Sequence, residues 1–232
     1  NITAQPFNSL EGKLELKWTG TGTANDAELI TAVEKVVFRS TSPNPLKDKI
    51  FSITIDEKNY LPKTQHYYEF ISAPGITWTA ARDAAAALPP YYGLLDPYLA
   101  TITSVEEAII CGDQAAGAGW IGASDAEVEG TWRWVTGPEI GESFWFGKGS
   151  ALGGSTIGMD IPFANWNGTK EPNDDGGNED YAHIVTSLSV GKLGTWNDLS
   201  VTGHQTNASD PYYPLGYIVE YGGMPGNPTL DL

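Results

Sequence analysis

Cysteine is almost missing: Cys111 stands alone among 232 residues, so no intrachain disulfide can form. No His lies near it in sequence, and it reads as a buried apolar residue rather than a nucleophile. Positive charge is scarce as well, with 13 Lys and Arg against 29 Asp and Glu and a net charge of −16. That excess repels phosphate backbones and anionic lipid, which argues against nucleic acid and membrane surfaces as partners. No apolar run reaches the roughly 18 residues of a membrane-spanning helix, and no basic-then-apolar leader opens the chain. His66, His183 and His204 stand apart, without the spacing of a zinc site, and read as structural histidines.

What is present is aromatic and acidic. Hydrophobic residues make up 41% and aromatic residues 11%, with eight Trp, enough for a packed core rather than a disordered chain. The acidity suits a protein that meets divalent cations outside the cell. Beginning at Asn1 without Met, the chain reads as a piece of something longer.

The acid is concentrated in Glu171-Pro172-Asn173-Asp174-Asp175-Gly176-Gly177-Asn178-Glu179-Asp180, five carboxylates in ten residues with no Lys or Arg. Unit like charges ~4 Å apart repel by roughly 4 kcal/mol at an effective dielectric near 20. Such a segment either splays into water as a solvated loop or is drawn together by a cation. Asn173 and Asn178 add neutral oxygens, which suit a hard ion taking roughly 6–8 oxygen ligands. A further amide and acid, Asn197-Asp198, follow Trp196 after an apolar run.

Along the chain, Lys13 to Trp18 alternates with period two and predicts a strand. Asn25-Asp26-Ala27-Glu28 predicts a helix start, with Leu29, Ile30, Val33 and Val37 as its apolar face. Strands are expected at Val36–Arg39 and Ile50–Ile55, separated by a turn at Ser42–Pro45. This first stretch resembles part of a bacterial cadherin-like or immunoglobulin-like repeat. After Tyr221 comes a linker, Gly222–Pro228, and then Thr229–Leu232, a short alternating segment expected to return and pair with the first module. A compact domain whose ends lie close together tolerates such insertion. Residues 1–64 plus 223–232 would then form an all-β split sandwich, with 65–222 inserted in it.

Within the insertion, strands are expected at Tyr67–Ile71, Leu99–Ile102, Trp120–Ala123, Thr131–Val135, Tyr181–Thr186, Thr195–Trp196 and Leu215–Tyr221. Helices are expected from Thr77 and from the capping box Ser104-Val105-Glu106-Glu107 to about Ala115. Thr136 to about Glu179 reads as one long irregular loop, of a size that is usually functional or disordered.

The chain from about Tyr67 to Tyr221 resembles a C-type lectin domain. The residues that carry this are Trp120-Ile121-Gly122-Ala123-Ser124-Asp125, Gly130-Thr131-Trp132-Arg133-Trp134-Val135-Thr136-Gly137, Glu171-Pro172-Asn173, Glu179-Asp180 and Trp196-Asn197-Asp198, in that order. The implied fold is α+β, with two helices, antiparallel sheets and a long calcium-binding loop. The resemblance also implies a principal Ca2+ held by Glu171, Asn173, Glu179, Asn197 and Asp198, with Pro172 in cis. A second, structural calcium would use Asp125, Glu129, Asp174, Glu179 and Asp180; the alternative is that Asp125 and Glu129 are surface charges on a turn. Tyr181 stands where animal members carry a cysteine, which points to a bacterial version held by core and metal.

The Glu-then-Asn order resembles the mannose-type arrangement, whose ligands are vicinal diols of mannose, fucose, glucose or N-acetylglucosamine. The galactose type carries Gln and Asp there. The expected activity is calcium-dependent binding of cell-surface glycans by an extracellular bacterial adhesin whose neighbouring domains lie outside this chain. A protein-binding or ice-binding use of the same fold stays open, since fold does not fix function. So does the role of Tyr212 and Tyr213, which can stack on a sugar or simply pack. A glycosidase is disfavoured, because five acids in a polar Gly-rich loop suit a cation better than a raised pKa.

Overall fold

A computed structural model of the chain describes residues 1–6, 14–21, 26–37, 39, 58–114, 119–158, 163–185 and 194–229. They fall into two units, Asn1–Phe51 and Ser52–Leu232. In the first, β1 (Ile2–Ala4) and β2 (Leu16–Trp18) pair antiparallel with Ile2 opposite Trp18, and α1 (Asp26–Val33) follows. The strand and helix expected here are present. Val36 and Val37 are not in a strand, because the end of α1 engages that backbone: the Val36 N–H donates to the Val33 carbonyl at 2.9 Å. The turn at Ser42–Pro45, the strand Ile50–Ile55 and residues 230–232 of the expected returning strand lie outside the described residues.

The second unit is α+β. Its strands are β3 (Asn59–Leu61), β4 (His66–Ser72), β5 (Pro97–Leu99), β6 (Trp120–Ser124), β7 (Thr131–Trp134), β8 (Ser143–Phe146), β9 (Ser155–Thr156), β10 (Tyr181–Ile184), β11 (Trp196–Leu199) and β12 (Gly216–Tyr221). They form one mixed sheet with the path β3-β4-β12-β6-β7-β8-β9, while β5 joins β12 and the β10–β11 hairpin joins β6. β12 is the spine. All six of its residues are buried; it runs antiparallel to β4 from Gly216↔Ser72 to Tyr221↔Tyr67, and parallel to β6 at Tyr217↔Trp120. Beyond it, Asn227 docks on this same unit by exchanging two hydrogen bonds with Asp96, at 3.1 and 2.9 Å, so the expected linker is partly fixed.

Two helices flank the sheet. α2 (Trp78–Ala86) starts where the Thr77 hydroxyl accepts from the Ala80 N–H, and it buries Trp78, Ala81 and Ala85, a three-then-four spacing that keeps one face inward. α3 (Val105–Ala108) opens on Ser104, whose hydroxyl accepts from the Glu107 N–H at 3.3 Å. The α-helical part ends well short of Ala115, because Ile109–Gln114 widens into a π-turn. That turn seals Cys111 away from solvent and sets Gly112 against Gly194, where a Cβ would come within 2.3 Å of the Gly194 Cα.

The core is aromatic. Trp132 and Trp134 point inward while Arg133 points out to Glu127, as the alternation predicts. Phe144 stacks on Trp134 at 4.7 Å, and Trp196 meets Trp134 and Trp166 edge-on at 5.9 and 5.7 Å. Tyr181 lays its ring 4.7 Å from Trp78 of α2. The loop expected from Thr136 to Glu179 is more ordered than its composition suggests, since β8 and β9 lie inside it and extend the sheet with Trp145 opposite Trp132. Four residues between glycines are too few to show a period in the sequence.

His183 of β10 is fully buried, edge-on to Trp120, and neither ring nitrogen has a partner among the described residues. Burial, helped by His204, pushes its pKa down to about 3. The unfolded chain, near 6.5, therefore binds the extra proton between those values, and stability falls as pH drops through that window. His183→Leu should be neutral or stabilising at pH 7. Its advantage over wild type should grow by about 1.4 kcal/mol per pH unit below about 6, read by urea unfolding; a constant difference would refute the neutral buried imidazole.

Candidate functional site

The site is built on the β10–β11 hairpin, in which His183 pairs with Asn197 and Ala182 with Asp198. Trp196, Asn197, Asp198 and Leu199 are all buried. The incoming loop is stitched to β11 at Trp166: the Trp196 N–H donates to the Asn165 carbonyl and the Asn167 N–H to the Trp196 carbonyl, both at 2.8 Å. It returns to β11 through a carboxylate. The Asn173 N–H donates to Asp198 Oδ2 at 2.9 Å and the Asp174 N–H to the same oxygen at 2.7 Å. Two successive N–H groups thus reach one carboxylate, and Asp174 then takes a left-handed conformation, φ 51°. The Glu171–Pro172 peptide is cis.

Around that anchor the acidic residues turn inward. Asn173 Nδ2 donates to Glu171 Oε2 at 2.6 Å, and the Asp175 N–H to Glu179 Oε2 at 2.8 Å. Asn197 Nδ2 donates to the Asp198 carbonyl at 2.7 Å, leaving Asn197 Oδ1 buried without a partner among the described residues. Lys148, from the β8–β9 connection, donates to the Asn173 carbonyl at 2.9 Å and stands 3.5 Å from Asp174 Oδ2. Glu171, Asn173, Asp175, Glu179 and Asn197 line a groove of about 510 Å³.

Burial and mutual repulsion dominate the electrostatics. Burial, then contact with the Asp198 carboxylate, raises Glu171 to about 8. Burial also raises Glu179, to about 7, and Asp198, whose shift is opposed by the Asp174 and Asn173 N–H groups. The sequence reading, that such a loop suits a cation better than a raised pKa, leaves out burial: the hairpin and loop half-bury these acids and so raise them. Burial and repulsion thus oppose full ionisation of this cluster, a cost that a cation among the carboxylates would offset.

A second cluster lies nearby. Carboxylate oxygens of Asp125, Glu129 and Asp180 lie within 4.8 Å of one another. Asp125 Oδ2 accepts from the Gly130 N–H at 2.9 Å, and its buried Oδ1 has no partner among the described residues. Burial raises Asp125 to about 7, and burial, then the nearby Asp174, raises both Glu129 and Asp180.

Of the nine residues read from the sequence, Glu171, Asn173, Glu179 and Asn197 thus line one groove, and Asp198 accepts from the backbone of residues 173 and 174 behind it. Asp125, Glu129 and Asp180 converge on the second cluster, with Asp174 between the two. Asp175 and Lys148 were missed. Asp175 stood in plain view in the acidic run; nothing in the sequence marks Lys148, which the β8–β9 hairpin delivers. Both clusters offer only oxygen ligands, and each keeps one orphaned buried oxygen, Asn197 Oδ1 or Asp125 Oδ1. That donor set fits a hard divalent cation.

No family model matches the chain. It is 32% identical over 223 residues to halomucin of Haloquadratum walsbyi, an alignment that takes in 96% of this chain and 2% of that protein. It is also 36% identical over 83 residues to a hepatic lectin of Gallus gallus, spanning 36% of this chain and 28% of that one. The chain therefore covers well under two thirds of either relative. Among solved structures it is similar to the C-type lectin CEL-I of Cucumaria echinata, at 20% identity and a TM-score of 0.43, over 67% of this chain and 89% of that one. The cow C-type carbohydrate-recognition domain of CD23 matches at 20% and 0.46, over 73% and 96%. A calcium-independent type II antifreeze protein matches at 20% and 0.43, over 75% and 96%.

Proposed function

We propose that residues 65–222 are a C-type lectin domain that binds carbohydrate through calcium. The observation that carries this reading is the convergence of Glu171, Asn173, Glu179 and Asn197 on one groove, with Asp198 tying their two chain segments together. The similarity to the hepatic lectin supports it.

Glu171, Asn173, Glu179, Asn197 and Asp198 would hold the principal calcium, and Asp125, Glu129, Asp174, Glu179 and Asp180 a structural one. A bound calcium supplies the positive charge that keeps these acids ionised together and open coordination positions for hydroxyl oxygens. The chain supplies the rest. Glu171 and Glu179 accept the protons of two vicinal hydroxyls. Asn173 and Asn197 each have one N–H engaged within the protein and a second to donate to a hydroxyl oxygen. Such charge-assisted bonds are about twice as strong as neutral ones. The Glu-then-Asn order favours mannose, fucose, glucose or N-acetylglucosamine.

The setting proposed is an extracellular adhesin of a bacterial cell surface, with residues 1–64 and 223–232 as a split sandwich and further domains beyond. Among the described residues no helix is long and apolar enough to cross a membrane. Binding of the wild-type chain to a glycan array with calcium, and again with EDTA, tests the reading. Signal on mannose-type sugars that vanishes on chelation is expected, along with stabilisation by about 2.7 kcal/mol at calcium one hundred times its Kd. Binding that survives EDTA, to a protein or to ice, would replace it.

A further inference from the structure

The groove extends beyond the acids. Its walls also include Tyr212 and His204 from the segment 200–214, and Leu152 from the β8–β9 connection. We propose that Tyr212, backed by His204 and sharing the groove with Leu152, forms a second sugar subsite, so that the groove prefers two or more linked sugars to one. This rests on the carbohydrate reading above.

The segment is pinned at both ends. The Trp78 N–H donates to the Val201 carbonyl at 2.9 Å and the Gly75 N–H to the Pro214 carbonyl at 2.8 Å. Between them, Asp210 organises the pair: its Oδ1 accepts from the Tyr212 N–H at 2.9 Å and faces His204 Nδ1 at 3.3 Å. The His204 N–H donates to the Tyr212 carbonyl at 3.3 Å, and the two rings meet edge-on at 5.2 Å. Tyr212 is thereby held before any ligand arrives, which lowers the entropy lost on binding. Tyr212 lines the same groove as Glu171 and Glu179, the diol-binding acids. Tyr213 does something else: a Cβ on Gly75 would stand 2.8 Å from its hydroxyl, so it packs against that turn.

The chemistry matches a sugar ring that is not the one on the ion. A pyranose presents C–H groups on one face, which an aromatic ring covers, and hydroxyls at its edge. His204 turns Nδ1 to Asp210 and has Nε2 for such a hydroxyl. Leu152, 68% exposed, is an apolar side chain left in water that lines the same groove, where a second ring would cover it.

Calcium-loaded wild type, Tyr212→Ala and Tyr212→Phe should be titrated with mannose, fucose, glucose and N-acetylglucosamine, each as its methyl glycoside and as an oligosaccharide that it terminates. Wild type should prefer the oligosaccharide. Tyr212→Ala should lose about 10-fold on it with the single sugar unchanged, and Tyr212→Phe should keep the preference. Equal affinity of wild type for both forms, or parallel losses on both in Tyr212→Ala, would overturn the subsite while leaving the calcium site standing. Failure of wild type to bind any of these sugars in calcium would overturn the carbohydrate reading itself, and the subsite with it.

Discussion

Asn197→Ala is expected to abolish retention on a mannose-type sugar column while leaving the chain folded. In the metal-free protein the change removes the buried, unpartnered Oδ1, which relieves about 1–3 kcal/mol of desolvation, and loses the bond from Nδ2 to the Asp198 carbonyl, about 1 kcal/mol. The two nearly offset, so the metal-free melting temperature should hold or rise slightly. In calcium the comparison inverts: wild type gains stability and the variant gains far less, because an ion ligand is missing. A residue that served packing alone would behave the other way, with a destabilised metal-free fold and an undiminished calcium response. Thermal unfolding with and without calcium, beside the column, separates these outcomes.

The second large effect is a change of preference. Glu171→Gln with Asn173→Asp reverses a donor and an acceptor in place. Asn173 Nδ2 now donates to Glu171 Oε2 at 2.6 Å; in the double variant a Gln amide donates back to an Asp carboxylate over the same gap. The local fold has reason to survive, but the groove offers its N–H and carboxylate in opposite order. Affinity for mannose-type sugars should fall at least 10-fold, about 1.4 kcal/mol, and binding of galactose should appear. Unchanged mannose affinity on the array would move the site away from these two residues. Each single variant places two like groups side by side, two amides or two carboxylates, so the pair must be changed together.

Much of this site was legible in the sequence because its chemistry is local. Glu171, Asn173 and Glu179 fall within nine residues, and Asn197 and Asp198 follow a Trp whose burial is easily guessed. What no local pattern encodes is the long-range geometry. Asp198 accepts from the backbone of residues 173 and 174, and Lys148 braces the same turn from a hairpin hidden in a Gly-rich stretch. The fold shows the same division. The alternation at Trp132–Trp134 and the caps at Thr77 and Ser104 announce their elements. The π-turn after Ala108 does not; it sets Gly112 against Gly194, a partner far along the chain.

Tyr212 illustrates why a residue's type is weaker testimony than its neighbours. Two adjacent tyrosines looked equivalent in the sequence. One turns into the groove beside the acids, the other onto Gly75, and the Asp210 hydrogen bonds hold the first in place.

The lone thiol carries a last consequence. Cys111 is wholly enclosed by the turn after α3, and burial lifts its pKa well above the ordinary thiol value, so it presents almost no thiolate to an oxidant or a disulfide partner. With no intrachain crosslink to make or break, the folded chain should respond little to glutathione. It should mature equally in a reducing cytosol and in open air, and its purification calls for neither oxidative refolding nor protection by dithiothreitol.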